Sequence, residues 1–570
     1  MKQMVLFLAA WWLALVVPTA LVAAERLAAE VTPMFTKATP GDLLTWSLSA
    51  TPAAWSTTDV AHTPRLKITA PDGKVTYRPA YLARQRLEVR HVARQVGTYR
   101  WKLLDPAGTQ VVDGDFQVSA GTNPPGPLGI NALNRHFLAW ADGTPFLPVG
   151  PNVAWVDGDP VQGFSKTFAT MRANGCNHVR IWMATWSLGL ESERPDDYRL
   201  DRAEQLDGVL AAARAAGIRV TLVLDNHHDV LLGTPFPYGG NQIERQDNFF
   251  AVPVSPAWAR RIRYCMARWS ADDALLAFEL INEADLALPV RERVIPWVNA
   301  AVLVLKEFDL DHRLHTVSWC GGDWPRALAS SAIDIVQLHS YVLEWIEETA
   351  AVKQPTRDGV GMLIPSAMVA NAPSPNGDIR PWLLGEVGYQ GTTAENPGND
   401  ADPQGLLLRQ QLWAGFLLGG CGGGMNWWWD VYLDSHHLWP VYRSFAALTA
   451  HLDLRDPDLV PLTPNVIGSV LVIGWASPRQ ALLWPQVRSD TWYQAIVAKA
   501  PRTGLGVAQP IRLGGFLAHR TYTVTPADPL SGVRSAPIAL TADDDGKLSL
   551  SLPAGVVDVV WLLALTSDVK

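Results

Sequence analysis

The hydrophobic rhythm of the chain changes twice. From about Val31 to Val118, short stretches such as KITAP, GTYRWKLLD and GDFQVSA alternate apolar with polar positions between Pro, Gly and Asp turns. A period of two with frequent turns predicts an N-terminal all-β sandwich over residues 25–122. The segment GTNPPGPLG, Gly121 to Gly129, is a Pro/Gly linker and marks a boundary. Beyond it, apolar runs of strand length alternate with stretches of helical period. The runs are FLPVG, HVRIW, RVTLVLD, LLAFELIN, LHTVSW, IDIVQLHS, WLLGE and GGGMNWWW. Helices are predicted near 164–173, 202–216, 256–269, 291–308, 405–418 and 441–451. From about Val466 the pattern returns to short β-like runs, so a second sandwich is expected over 464–570.

Strands that alternate with helices form parallel βαβ units, and eight of them within 130–455 predict a closed (β/α)8 TIM barrel. An open doubly wound sheet is the competing arrangement. It calls for a Gly-rich phosphate turn after an early strand, and GPNVAW has no such pattern. The expected architecture is therefore α/β, a barrel flanked by two all-β sandwiches. The long insertions at Asp229–Ser255 and Val342–Arg380 follow strands three and six, at the barrel end where loops build active sites.

Composition narrows the classes of ligand. A net charge of −8 with no long basic block excludes nucleic acid as a partner. The 25 Trp outnumber Phe and Tyr, and many indoles are expected to stand partly exposed as platforms. Lys2, an apolar run from Met4 to Val17, and small residues ending Val22-Ala23-Ala24 read as a secretory signal peptide over residues 1–24. The alternative is an uncleaved N-terminal anchor; no later run is long enough to span a membrane. A periplasmic or extracellular location is expected. Cys176, Cys265, Cys320 and Cys421 lack CxxC spacing and are expected to be mostly buried free thiols.

Chemistry on a barrel sits at the carboxyl ends of its strands. Glu283 ends strand four in FELINEAD, and Glu386 ends strand seven in WLLGEVG. Two carboxyls facing each other are what glycoside hydrolysis needs: one protonates the leaving oxygen, the other attacks the anomeric carbon or activates water. An Asn-Glu pair alone is uninformative, and the ordered set of strand ends carries the weight.

In that set the chain resembles glycoside hydrolase clan A, and especially family 5 with its cellulases and β-mannanases, from Phe146 to Trp429. The resemblance implies that Glu283 is the acid/base and Glu386 the nucleophile of a retaining glycosidase acting on a neutral β-linked glucan or mannan. It also implies substrate contacts at Asn152 in VGPN, Arg180 in HVRIW, His227 in LDNHHD, Asn282, His339 and Tyr341 in HSY, and Trp427 in NWWW. Clan members often carry an N-terminal immunoglobulin-like domain and a C-terminal sandwich. Ala284 departs from the family, which usually has Pro after Asn-Glu. Strand alternation predicts Trp427 and Trp429 on one face, Trp427 level with the glutamates and Trp429 farther out, with Trp428 opposite.

No cofactor is implied, and no metal. His227, His228 and Asp229, read on a strand, would point to opposite faces and could not easily share an ion. Glu279 is expected to be a paired structural carboxylate, and Glu344 is a spare carboxylate beside the cleft. The alternatives are a catalytically silent glycan-binding protein, a metal-dependent hydrolase using the histidine pair, and an adhesion role for the sandwiches.

Overall fold

The computed structural model describes residues 30–566 except 50–51, 56, 85, 123–124, 192, 233–235, 321–331, 343–356, 375–376 and 391–397. The signal segment and Glu344 lie outside the described residues. The chain divides between Gly121 and Thr122 into two units.

In the N-terminal unit, two four-stranded antiparallel sheets enclose an apolar core. Alternation along Leu43–Ser49 and Gly97–Leu104 sends Leu44, Trp46, Leu48, Tyr99, Trp101 and Leu103 inward and their neighbours outward. Each strand thus buries one face only, as its period of two requires.

The middle of the chain is a parallel barrel. Strands two to seven are His178–Trp182, Arg219–Val223, Leu275–Glu279, Leu314–Trp319, Ile335–Val342 and Trp382–Tyr389, each paired with the next in chain order. All six are buried in nearly every position because helices cover one side and the barrel interior the other. Extended segments 149–154 and 421–428 complete the ring through isolated parallel bridges, Asn152 to Arg180 and Asn426 to Val387. They also close on each other, Asn152 N donating to Asn426 O at 2.9 Å. Gly150 lets the first segment lie close against strand two, since a Cβ there would collide with the His178 carbonyl.

Local signals set the helices. Pro160–Ala173 starts with Pro at its first position behind Asp159, whose carboxylate caps Gln162 N at 2.9 Å. Leu200–Ala216 stops at Gly217, φ 70°, in the left-handed conformation glycine tolerates. Pro256–Trp269, Arg291–Phe308, Leu406–Leu417 and Pro440–Thr449 supply further helices of the outer layer.

Two expectations need correction. The linker does not run to Gly129, because Leu128–Ile130 pairs with Leu138–Trp140 and that strand with Pro145–Phe146. Leu128, Leu138 and Phe146 pack under Leu276, Leu314, Ile335 and Leu383, so this small sheet caps the barrel floor. Nor do most indoles serve as platforms. Ten of the 25 Trp, among them Trp258, Trp269 and Trp475, rank with the largest fully buried side chains. Several of their N–H groups find partners inside, as Trp258 does on Asp225 at 3.0 Å and Trp269 on Asp207 at 2.8 Å.

The C-terminal sheets pack directly on the barrel. Trp475 is the peg: its ring centroid lies 4.6 Å from that of Phe137, and its indole N–H donates to Phe416 O at 2.8 Å. All four cysteines are free; Cys176, Cys265 and Cys421 are buried and Cys320 is partly exposed. No helix among the described residues is long and apolar enough to cross a membrane.

Candidate active site

The site is built where strands one to eight end. Strand four stops at Glu279, and four residues later Glu283 adopts a left-handed conformation, φ 50° and ψ 61°, at the start of the short helix Ala284–Ala287. That conformation costs a non-glycine residue about 1–2 kcal/mol, and Glu283 N donates to Ser318 Oγ at 2.8 Å within it. It lets consecutive side chains, Asn282 and Glu283, both reach the site, which a regular strand would forbid. Glu386 lies within the strand Trp382–Tyr389, where the pairing with Ile335–Val342 slips by one residue at Gly385 and sets Glu386 opposite His339.

His339 stands between the two carboxyls, its Nδ1 2.8 Å from Glu283 Oε1 and 3.4 Å from Glu386 Oε2. Ligand-type atoms of Glu283, His339 and Glu386 all lie within 4.8 Å of one another. The two glutamates differ in their remaining partners. Glu386 Oε1 accepts from Arg180 Nη1 and Glu386 Oε2 from Tyr341 OH, each at 2.5 Å. The direct partners of the Glu283 carboxyl among the described residues are imidazoles, His339 and, at 3.5 Å, His227 Nδ1.

Electrostatics follow from these contacts. Burial pushes the Glu283 carboxyl up to about 7, against the pull of Arg180 and with a further push from Asp285 and Glu279. Burial, with a further push from Glu283, also raises Glu386 above its ordinary value, and His339, Arg180 and the Tyr341 hydroxyl oppose that rise. Burial lowers His339 to about 4 and His227 to about 3, so both imidazoles are neutral near pH 7. What distinguishes the two is the partners: Glu386 carries the cation and the hydroxyl that favour an anion, and Glu283 has imidazoles instead.

The other expected residues converge here, though not all at the surface. Asn152 and Arg180 were expected to touch substrate, and both are 0% exposed. Asn152 Nδ2 donates to Gly385 O at 2.9 Å, and its Oδ1 accepts from Arg180 Nη1 at 3.2 Å, so it holds the arginine in place. Asn282 accepts from Arg180 Nη2 at 2.5 Å and donates to His227 Nδ1 at 2.9 Å. His227 and His228 lie on the short helix His227–Leu232 and not on a strand; their ring centroids are 4.1 Å apart. Asp229 is engaged elsewhere, by Thr185 Oγ1 at 2.6 Å and Asn226 Nδ2 at 2.7 Å. Among the described residues, the cluster with metal-ligand spacing is Glu283, His339 and Glu386; the histidine pair of the alternative metal-dependent reading is not in it. Arg180 already supplies the positive charge against Glu386, and we assign no ion there.

An aromatic wall lines one side. Trp155 contacts Trp182, Trp186, Trp427 and Trp429 edge-on, with centroids 5.7, 5.4, 5.7 and 5.2 Å away. Trp427 also sits 5.1 Å from Trp182, whose ring lies 5.5 Å from the Arg180 guanidinium. Trp427 and Trp429 share this wall, whereas the Trp428 indole donates to Tyr389 O at 2.6 Å. The outer role expected of Trp429 does not fit its 7% exposure. Trp186, at 43%, is the exposed indole of the wall. Trp155, Trp182 and Trp186 were missed, although Trp155 and Trp182 stand where NVAW and HVRIW end and the rule of strand ends could have found them.

No protein-family model matches the chain. Curated relatives include mannan endo-1,4-beta-mannosidase 1 of Oryza sativa subsp. japonica, 24% identical over 259 residues, which is 38% of this chain and 60% of that one. Mannan endo-1,4-beta-mannosidase 7 of Arabidopsis thaliana is 24% identical over 252 residues, 37% of this chain and 58% of that one. The chain thus spans about three fifths of the length of these relatives. Among solved structures, a glycoside hydrolase family 5 protein from Bacteroides vulgatus ATCC 8482 superposes with TM-score 0.55 at 12% identity, covering 77% of this chain and 94% of that one. A second Bacteroides vulgatus ATCC 8482 protein gives 0.57 at 12% identity over 93% of this chain and 100% of its own. The chain shares the fold of these proteins and resembles family 5 and its mannanases in sequence.

Proposed function

We propose that the chain is a glycosidase that hydrolyses a β-linked glycan of the mannan type by double displacement. The observation that carries this reading is the unequal pair itself. Glu283 and Glu386 present oxygens within 4.8 Å of each other, near the roughly 5–5.5 Å of retaining enzymes and short of the roughly 6.5–9.5 Å that admits an inverting water. Glu283, protonated below about 7, gives its proton to the glycosidic oxygen as that bond breaks. Glu386, oriented by Arg180 and Tyr341, forms the bond to the anomeric carbon. Water then enters, Glu283 takes its proton, and the hydroxide oxygen displaces Glu386 with a second inversion.

The mannan preference draws on the curated relatives, which are named mannan endo-1,4-beta-mannosidases. Export through residues 1–24 to a periplasmic or extracellular site belongs to the same proposal, and cell fractionation with N-terminal sequencing of the mature chain tests it. For the chemistry, the test is incubation with defined β-1,4-mannan and β-1,4-glucan oligomers, with proton NMR of the first-formed anomer. Retained configuration on mannan is expected. An inverted first product sinks double displacement. Binding without hydrolysis of any glycan would instead favour the silent glycan-binding reading.

A further inference from the structure

Glu279 takes no part in the reaction just described, yet it is 0% exposed and tied to the reacting groups. Both of its oxygens accept from Arg180, Nε to Oε2 and Nη2 to Oε1, each at 2.7 Å. Gln337 Nε2 adds a third bond to Oε2 at 2.7 Å. The same guanidinium turns its remaining edge outward, Nη1 donating to Glu386 Oε1 at 2.5 Å. One cation therefore serves two carboxylates, one sealed in the barrel and one at its mouth. The barrel is shaped to allow this. Gly385, immediately before Glu386, leaves the space that Gln337 crosses; a Cβ there would stand 2.5 Å from Gln337 Cγ.

An arginine paired with Glu386 alone would hold that anion tightly, and a tightly held carboxylate is a weaker base and a weaker nucleophile. An arginine whose charge is already balanced from behind can still orient Glu386 through a directed hydrogen bond while withdrawing less of its basicity. We propose that Glu279 is a positioning residue that, through Arg180, fixes the orientation of Glu386 and preserves its nucleophilicity. This rests on the reading of Glu386 as the nucleophile.

The surroundings keep the test clean. Glu386 is faced by Arg180 from strand two, by Glu283 from the turn after strand four, and by His339 and Tyr341 from strand six. Glu279 is faced by Arg180, Gln337, His339 and Ser318. Arg180 and its hydrogen bonds hold the Glu279 carboxyl below its ordinary value in spite of burial. His339, lowered to about 4, stays neutral near pH 7, and Glu283, raised to about 7, changes charge there.

The experiment compares the full-length protein with Glu279→Gln and Glu279→Asp on an aryl β-mannoside with a good leaving group, following kcat/KM against pH and thermal unfolding in parallel. Glu279→Gln puts the whole charge of Arg180 on Glu386, so the acidic limb should move down by about one pH unit. Its kcat should fall about 10-fold or more while KM changes little. Glu279→Asp keeps the charge but shortens the arm, so its limb should stay with the wild type while kcat still falls. An unmoved limb in Glu279→Gln, with only the melting temperature lowered, overturns the proposal and leaves a plain structural ion pair. If Glu279→Gln does not fold, Glu279→Asp decides: undiminished kcat with reduced stability overturns it. A wild type inactive on every glycoside overturns the functional reading as well, whereas an active wild type with an unmoved limb overturns this inference alone.

Discussion

Two buried arginines each hold two carboxylates in this barrel, and only one of the clusters is built for chemistry. Arg261 contacts both oxygens of Asp225, at 2.7 and 2.6 Å, and lies 3.6 Å from Glu191. Every acceptor there is occupied: Trp258 Nε1 reaches Asp225, while Tyr238 OH and Asp196 N reach Glu191 at 2.9 and 2.7 Å. That cluster pins the loops after strands two and three. Around Arg180 the inner carboxylate, Glu279, is equally enclosed, but Glu386 stands beside a second carboxyl disposed to keep its proton. Charge and burial alone do not separate the two clusters. What separates them is a carboxylate left beside a proton donor, and that is a property of geometry.

The largest test of this contrast is Glu386→Gln, which keeps shape and removes the proposed nucleophile. Turnover should fall by about 10⁴-fold or more, with the melting temperature little changed. Retained activity would remove Glu386 from the reaction. Next comes Glu283→Ala, which should cost about 10²–10⁴-fold on natural glycosides and far less on aryl glycosides whose leaving groups need no proton. Equal losses on both substrate types would argue against its acid role.

The structural cluster should answer in stability. Arg261→Met leaves Asp225 and Glu191 buried without their counter-charge and should destabilise the fold by about 3–5 kcal/mol, with kcat per folded molecule preserved. Denaturant titration paired with active-site counting reads both quantities, and lost kcat at full folding would show that the second cluster reaches the chemistry after all.

Acidity separates the clusters more gently. Glu283 keeps its proton up to about 7 in the folded chain against an ordinary 4.5, so the folded state binds that proton more tightly than the unfolded one. Its contribution to stability is full below 4.5 and lost as pH rises through 7, on the order of 3 kcal/mol in all. Glu283→Gln cannot ionise, so its stability relative to the wild type should rise between pH 5 and pH 8.5. The alkaline limb of wild-type kcat/KM should fall near pH 7 for the same reason. A constant stability difference across that range would mean that Glu283 does not titrate there. The smallest effect expected is from Trp186→Ala. An exposed indole lost from the wall should raise KM a few-fold, about 1 kcal/mol, and leave kcat nearly unchanged.

How far the site could be read in advance depended on whether each residue obeyed a local rule. Arg180, His339, Tyr341 and Glu386 lie within strands, so counting along those runs placed them at the barrel mouth, although the one-residue slip at Gly385 that sets Glu386 opposite His339 was not legible. Glu283 was found by its place after a strand, but its left-handed backbone has no local signature, since nothing in the chain replaces it with glycine or asparagine. His227 was misplaced on a strand because LVLDNHHD continues an apolar run, while Asn226 and Asp229 hydrogen-bond each other and close a turn.

The order of strands and helices, the two flanking β regions and the pairing of Glu283 with Glu386 were determined by the sequence, because hydrophobic period and turn residues act over a few positions. Which carboxyl keeps its proton, which arginine is shared and which indoles stay exposed were decided by tertiary structure alone. Those properties depend on desolvation and on partners far apart in the chain, such as Arg180 with Glu279 and Glu386. A strand can declare that it is buried, but not which strand will face it.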